Sequence, residues 1–103
     1  MQNVQKLVQT EMAVADAALE VSKAKGKIAN AKSVLVSQLV LYSALMVKHH
    51  GQDSQKAQAA NLEALKAYET SVVASAEFGA AKAMEAALRN VAERSFTRAV
   101  TAA

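Results

Sequence analysis

The sequence predicts an all-α protein, an antiparallel hairpin of two long helices over about residues 2–50 and 54–100. Three observations carry that prediction. The first is composition: 24 of the 103 residues are alanine, there is no proline, and there are only three glycines. Alanine is the best helix former and proline and glycine are the worst. The second is an apolar residue at every seventh position through the first half of the chain. The third is a single clear reversal, Lys48-His49-His50-Gly51-Gln52-Asp53-Ser54. β-Branched and aromatic residues are too sparse, and too rarely alternate with polar ones, for a sheet. At this length the chain is read as one domain, 1–103.

In the first arm, Leu7, Val14, Val21, Ile28, Leu35 and Tyr42 follow one another at intervals of seven. Such a repeat forms a continuous seam for a partner helix, with a left-handed bias to the packing. Val4, Ala18, Leu39 and Met46 occupy the accompanying offset, where Glu11, Lys25 and Lys32 interrupt it. The lysine stems can lie along apolar surface with their ammonium groups in water, so the seam is weakened there, not abolished. Gly26 sits inside the pattern at a cost of about 1 kcal/mol relative to alanine. It predicts either a bend or a close backbone approach.

The reversal follows from the end of this arm. Lys48, His49 and His50 suit the negative end of a helix dipole. Gly51 suits the left-handed residue just after a helix. Asp53 or Ser54 can cap the next helix by accepting a hydrogen bond from a free backbone N–H.

The second arm places Leu62, Leu65, Val72, Val73, Ala76, Ala80, Ala83, Met84, Ala87 and Val91 on one side of a helix, with Lys66 and Glu69 as exceptions. Of these, Leu62, Leu65, Val72, Ala76 and Ala83 are expected in the hairpin seam. Glu85 and Arg89 form an i,i+4 pair on the opposite side. Folding the chain about residues 52–53 sets Gly79 across from Gly26, as a close crossing of backbones would require. If both glycines break their helices, the product is a four-helix bundle of short helices. If neither does, each arm is about 45 residues and roughly 70 Å long.

Val34 to Val47 is the one dense block of large apolar residues. On a helical projection it is apolar in almost every direction, with Ser37 and Gln38 as the gaps, and such a helix expects cover on all sides. Leu35, Leu39, Tyr42 and Met46 are assigned to the seam. Val34, Leu41 and Leu45 are left over for self-association. The block falls short of the roughly 20 residues a bilayer core needs, and extending it back to Ile28 admits Asn30, Lys32 and Ser33. Phe78 and Phe96, the only phenylalanines, lie 18 residues apart. Five helical turns point them to the same polar side, as a second contact surface.

Catalytic, cofactor and metal residues are not indicated. Cysteine is absent, so a thiolate site is excluded. His49 and His50 are neighbours that point about 100° apart on a helix, which is not a chelating pair. There is no Glu-x-x-His motif and no phosphate-binding glycine loop. No small-molecule substrate is implied, and an enzyme is not expected. The net charge of +3 resides in the first half, as six lysines against Glu11, Asp16 and Glu20. It marks either a solvated face or a contact with an acidic surface. Lys23, Lys25, Lys27 and Lys32 crowd together but split between nearly opposite directions, with no arginine and no interleaved aromatic, which disfavours nucleic acid. The N-terminus lacks a signal-peptide pattern, so a cytoplasmic location or a signal-less export route is expected.

The stretch Gln58-Ala59-Ala60-Asn61-Leu62-Glu63-Ala64-Leu65 resembles one seen in phasins, helical proteins that coat polyester storage granules. The resemblance implies an apolar-surface binder. The residues themselves favour a non-enzymatic structural subunit that homo-oligomerises into a bundle or a filament, of the kind found in phage, secretion or pilus-like structures. The alternative is an amphipathic protein on a membrane or lipid-granule surface. A small helical dimer that binds RNA or DNA is the least favoured.

Overall fold

The structure, a computed structural model, describes the backbone of residues 2–102 and the side chains of residues 3–101. The chain is an antiparallel helical hairpin of α1, Gln2–His50, and α2, Gln55–Ala102. No strand occurs among the described residues. Both helices run unbroken through Gly26 and Gly79, so the four-helix alternative is not adopted. A lone glycine forfeits about 1 kcal/mol but keeps its backbone N–H, and only proline would remove a rung of the hydrogen-bond ladder.

The turn is built by two residues. Gly51 has φ +86°, and its N–H donates to the Val47 carbonyl at 2.9 Å. Only glycine holds that backbone conformation without a side-chain clash. Ser54 then caps α2: its hydroxyl oxygen accepts from the Ala57 N–H at 3.1 Å and donates to the Gly51 carbonyl at 2.9 Å. The cap is therefore Ser54, and Asp53 is exposed beside it.

The chain divides into two compact units. The first, Gly26–Ala76, contains the turn. Its buried residues are small: Ala29, Ala57, Ala60, Ala64 and Ala74, with Ser43 and Ser71. Val36, Leu39, Met46 and Val47 are half-buried beside them. Burial recurs at seven-residue intervals, at 29 and 43 on α1 with the half-buried Val36 between them, and at 57, 64 and 71 on α2. Side chains this small let helix axes approach to near the lower end of the usual 8–10 Å. Two of the buried hydroxyls are satisfied: Ser43 bonds across the seam to the Asn61 amide oxygen, and Ser71 donates to the Tyr68 carbonyl at 2.8 Å.

The second unit is formed by Met1–Lys25 with Glu77–Ala103. Ala15, Ser22 and Ala92 are buried, and Val8, Met12, Leu19, Phe78, Ala81 and Leu88 are half-buried. Charged groups tie the two helical segments. Arg89 donates from Nε to Glu85 Oε1 at 2.6 Å and from Nη2 to Asp16 Oδ1 at 3.0 Å. Those hydrogen bonds, to Glu85 first and Asp16 second, raise the arginine pKa further above its ordinary value. Lys25 Nζ lies 3.1 Å from Glu77 Oε2, so the lysine that interrupts the apolar pattern finds an acidic partner. Glu85 and Arg89 thus sit along the helix–helix contact, not on the far side.

The seam has a different phase from the one the large residues predict. Leu7, Val14, Val21, Ile28, Leu35 and Tyr42 are each 46–53% exposed, as are Leu62, Leu65 and Val72 at 49–54%. Ala76 and Ala83 are exposed too. Leu39 and Met46 do lie half-buried at the contact. The reason is in α2. Its side with the large residues is broken by Lys66 and Glu69, whereas Ala57, Ala60, Ala64, Ala67, Ser71 and Ala74 make an uncharged row. Close backbone approach along that row selects the small residues of α1 one position further on. The glycine crossing is also absent at Gly79, where an added Cβ would meet no atom within 4 Å.

Candidate functional site

The small-residue seam leaves the large apolar residues outside. In the unit Gly26–Ala76, Ile28, Leu35, Tyr42 and Leu45 are all about half exposed on α1. Ala31 and Gln38 lie between them at the same helical phase, so from 28 to 45 this stripe carries no charge. It lies on one flank of the seam, because residues directly before the seam positions 29, 36 and 43 are turned about 100° from them. On α2, Leu62, Leu65 and Val72 form a second exposed stripe, with Glu69 between the last two. These positions lie on the outward side of α2, away from its buried row.

Of the residues assigned to self-association, Val34, Leu41 and Leu45 are exposed, Leu41 most of all at 67%. Phe78 and Phe96 behave differently. Phe96 is exposed. Phe78 is half-buried on the same line as the buried Ala92, and the Lys82 ammonium sits 5.3 Å from its ring centroid. That is a local cation–π contact, so the two phenylalanines do not make one outward surface. The prediction assumed 3.6 residues per turn. Burial here recurs every seven residues, and over 18 residues that period rotates Phe96 by about 50° relative to Phe78.

Other chemistry is sparse. No group of three or more His, Cys, Asp or Glu that could hold a metal occurs among the described residues. A shallow concavity is lined by Asn90, Glu93, Arg94, Thr97 and Arg98, all on one face of α2, so it has no opposing wall. Glu11 has one carboxylate oxygen, Oε2, buried without a partner. By length and composition, α1 is long and apolar enough to cross a membrane.

Against protein-family models, curated proteins and solved structures, the chain gives no match. The phasin-like stretch of residues 58–65 therefore stands on those eight residues alone. In the fold, it supplies Ala60 and Ala64 to the buried row and Leu62 and Leu65 to the exposed stripe.

The residues that sequence reasoning missed are the seam itself: Ala15, Ser22, Ala29 and Ser43 on α1, and Ala57, Ala60, Ala64 and Ala74 on α2. Their signal was available. In α2 the phases through 57 and 60 stay free of charge from 57 to 81 and are mostly alanine.

Proposed function

We propose that the chain is a non-enzymatic structural subunit whose hairpins self-associate, through their exposed apolar stripes, into a bundle oligomer or a filament. One observation supports this above the rest. Among the described residues no large side chain is fully buried, while 20 large apolar residues are exposed. Monomeric soluble proteins rarely leave contiguous apolar patches larger than a few hundred Å² uncovered. A helix seam whose fully buried residues are alanine and serine also contributes modest hydrophobic stabilisation, since no large residue in it reaches the full burial that would supply about 1.5–3 kcal/mol. Association is the direct way to cover them. A component of a phage, secretion or pilus-like assembly fits such a subunit.

A second reading is favoured by one feature: α1 combines membrane-spanning length and apolarity with lysines at 23, 25, 27, 32 and 48. An amphipathic protein on a membrane or granule surface would bury the apolar stripe in lipid and set lysines among anionic headgroups.

Size-exclusion chromatography with light scattering, on lipid-free protein, separates the two, together with electron microscopy of any material in the void volume. A defined oligomer or a filament is expected. A monomer that gains order on anionic vesicles supports the surface reading instead. A stable monomer indifferent to vesicles overturns both.

A further inference from the structure

We infer that the contact between copies is heterologous: the charge-free stripe of α1 in one copy docks on the outward stripe of α2 in the next. The inference rests on the self-association reading and adds its geometry. Both stripes belong to the unit Gly26–Ala76. Each presents large apolar residues about half exposed, Ile28, Leu35 and Tyr42 on α1 and Leu62, Leu65 and Val72 on α2.

Charge decides which stripe meets which. Between residues 26 and 50, α1 carries Lys27, Lys32 and Lys48 and no acidic residue. Two α1 stripes brought together would set lysines against lysines. The α2 stripe holds Glu69 within it, and Lys56, Glu63 and Lys66 lie around it, so that α2 from 55 to 76 is neutral where α1 from 26 to 50 is +3. Two α2 stripes would bring Glu69 of each copy into one apolar contact, where an unpaired carboxylate is costly to desolvate. Pairing α1 with α2 instead places lysines beside Glu63 and Glu69, and like-charge juxtaposition is avoided.

Because the two stripes are on different faces, docking leaves one of each kind free, and the assembly grows until it closes into a ring or extends as a filament.

Complementation tests this directly. Leu35→Lys blocks the α1 stripe and Leu65→Lys the α2 stripe, both at positions exposed enough to accept lysine without loss of helix, which circular dichroism checks. Leu35→Ser and Leu65→Ser serve if either lysine variant unfolds. Light scattering and native mass spectrometry should find wild type larger than a dimer, each variant alone a monomer, and an equimolar mixture a 1:1 heterodimer that grows no further. A dimer of Leu65→Lys alone, or of Leu35→Lys alone, means that one stripe pairs with itself and overturns the inference while leaving self-association intact. A mixture that stays monomeric overturns it as well. Lipid-free wild type that is itself monomeric, whether or not it binds vesicles of anionic phospholipid, removes the underlying reading and the inference with it.

Discussion

Replacing Ala60 with leucine and Leu35 with alanine gives opposite answers depending on which residues form the hairpin seam. Ala60 is 3% exposed in a row of alanines on α2, and Leu35 is 47% exposed on the flank of α1. Adding three carbons at Ala60 forces either the neighbouring rotamers or the helix spacing to change, which costs about 1–3 kcal/mol. Removing the Leu35 side chain forfeits only the half of its surface that is covered, about 1 kcal/mol when full burial contributes roughly twice that. Ala60→Leu should therefore be the more destabilising of the two. Had the heptad of large residues formed the seam, Leu35→Ala would cost about 2–5 kcal/mol and leucine at 60 would be close to neutral. The assay is urea unfolding followed by far-UV circular dichroism, at a concentration low enough that light scattering finds monomer. A larger loss for Leu35→Ala than for Ala60→Leu refutes the small-residue seam.

Other substitutions probe particular features. Gly79→Ala should stabilise by up to about 1 kcal/mol, since it removes a helix-interior glycine where a Cβ meets nothing within 4 Å. Gly51→Ala should lower stability by about 1 kcal/mol or more, because φ +86° is strained for any residue with a Cβ even though the space there is open; thermal melts report both. Ser54→Ala removes the acceptor for the Ala57 N–H and should cost about 1 kcal/mol, with a loss of amide-exchange protection concentrated in the first turn of α2. Glu11→Met should raise the melting temperature, since it replaces a carboxylate oxygen that is buried without a partner, a defect of about 1 kcal/mol. A fall in melting temperature instead means that the carboxylate has a partner in solution.

Much of this fold is readable from residue types. The absence of proline, the wealth of alanine and the residues from Lys48 to Ser54 specify two helices and one reversal, because each acts locally on backbone conformation. Phase is a different matter. Leu7 to Tyr42 form a more conspicuous repeat than Val8, Ala15, Ser22, Ala29, Val36 and Ser43, yet the latter line faces the partner. The choice depends on both helices together. Sequence rules that weight hydrophobic size miss a seam selected by close approach, for which an uninterrupted row of small residues matters more than apolar area. Phe78 was misplaced for a related reason: a difference of a tenth of a residue per turn accumulates to half a flank over five turns. The exposed residues Val34, Leu41 and Leu45 were legible because the block around them is apolar on more sides than one neighbouring helix can cover.

A hairpin whose fully buried residues are all alanine and serine, with most of its large apolar residues exposed, has a thermodynamic consequence that does not depend on how the copies are arranged. Assembly binds only the folded hairpin, so it adds its free energy to folding by mass action. The seam by itself supplies a modest part, and the exposed leucines supply the rest only when a neighbour covers them. Stability should therefore rise by on the order of 1 kcal/mol for each tenfold increase in protein concentration while assembly and folding are coupled, and the unfolding midpoint should rise with it. Leu35→Lys should flatten that dependence and leave the midpoint near the dilute value of wild type. Under the lipid-surface reading the midpoint instead stays constant with concentration and climbs when anionic vesicles are added. Urea titrations across a hundredfold range of concentration, with and without vesicles, tell these apart. A midpoint that responds to neither concentration nor lipid would mean that the exposed stripes of α1 and α2 are stable in water as they are, and that no partner covers them.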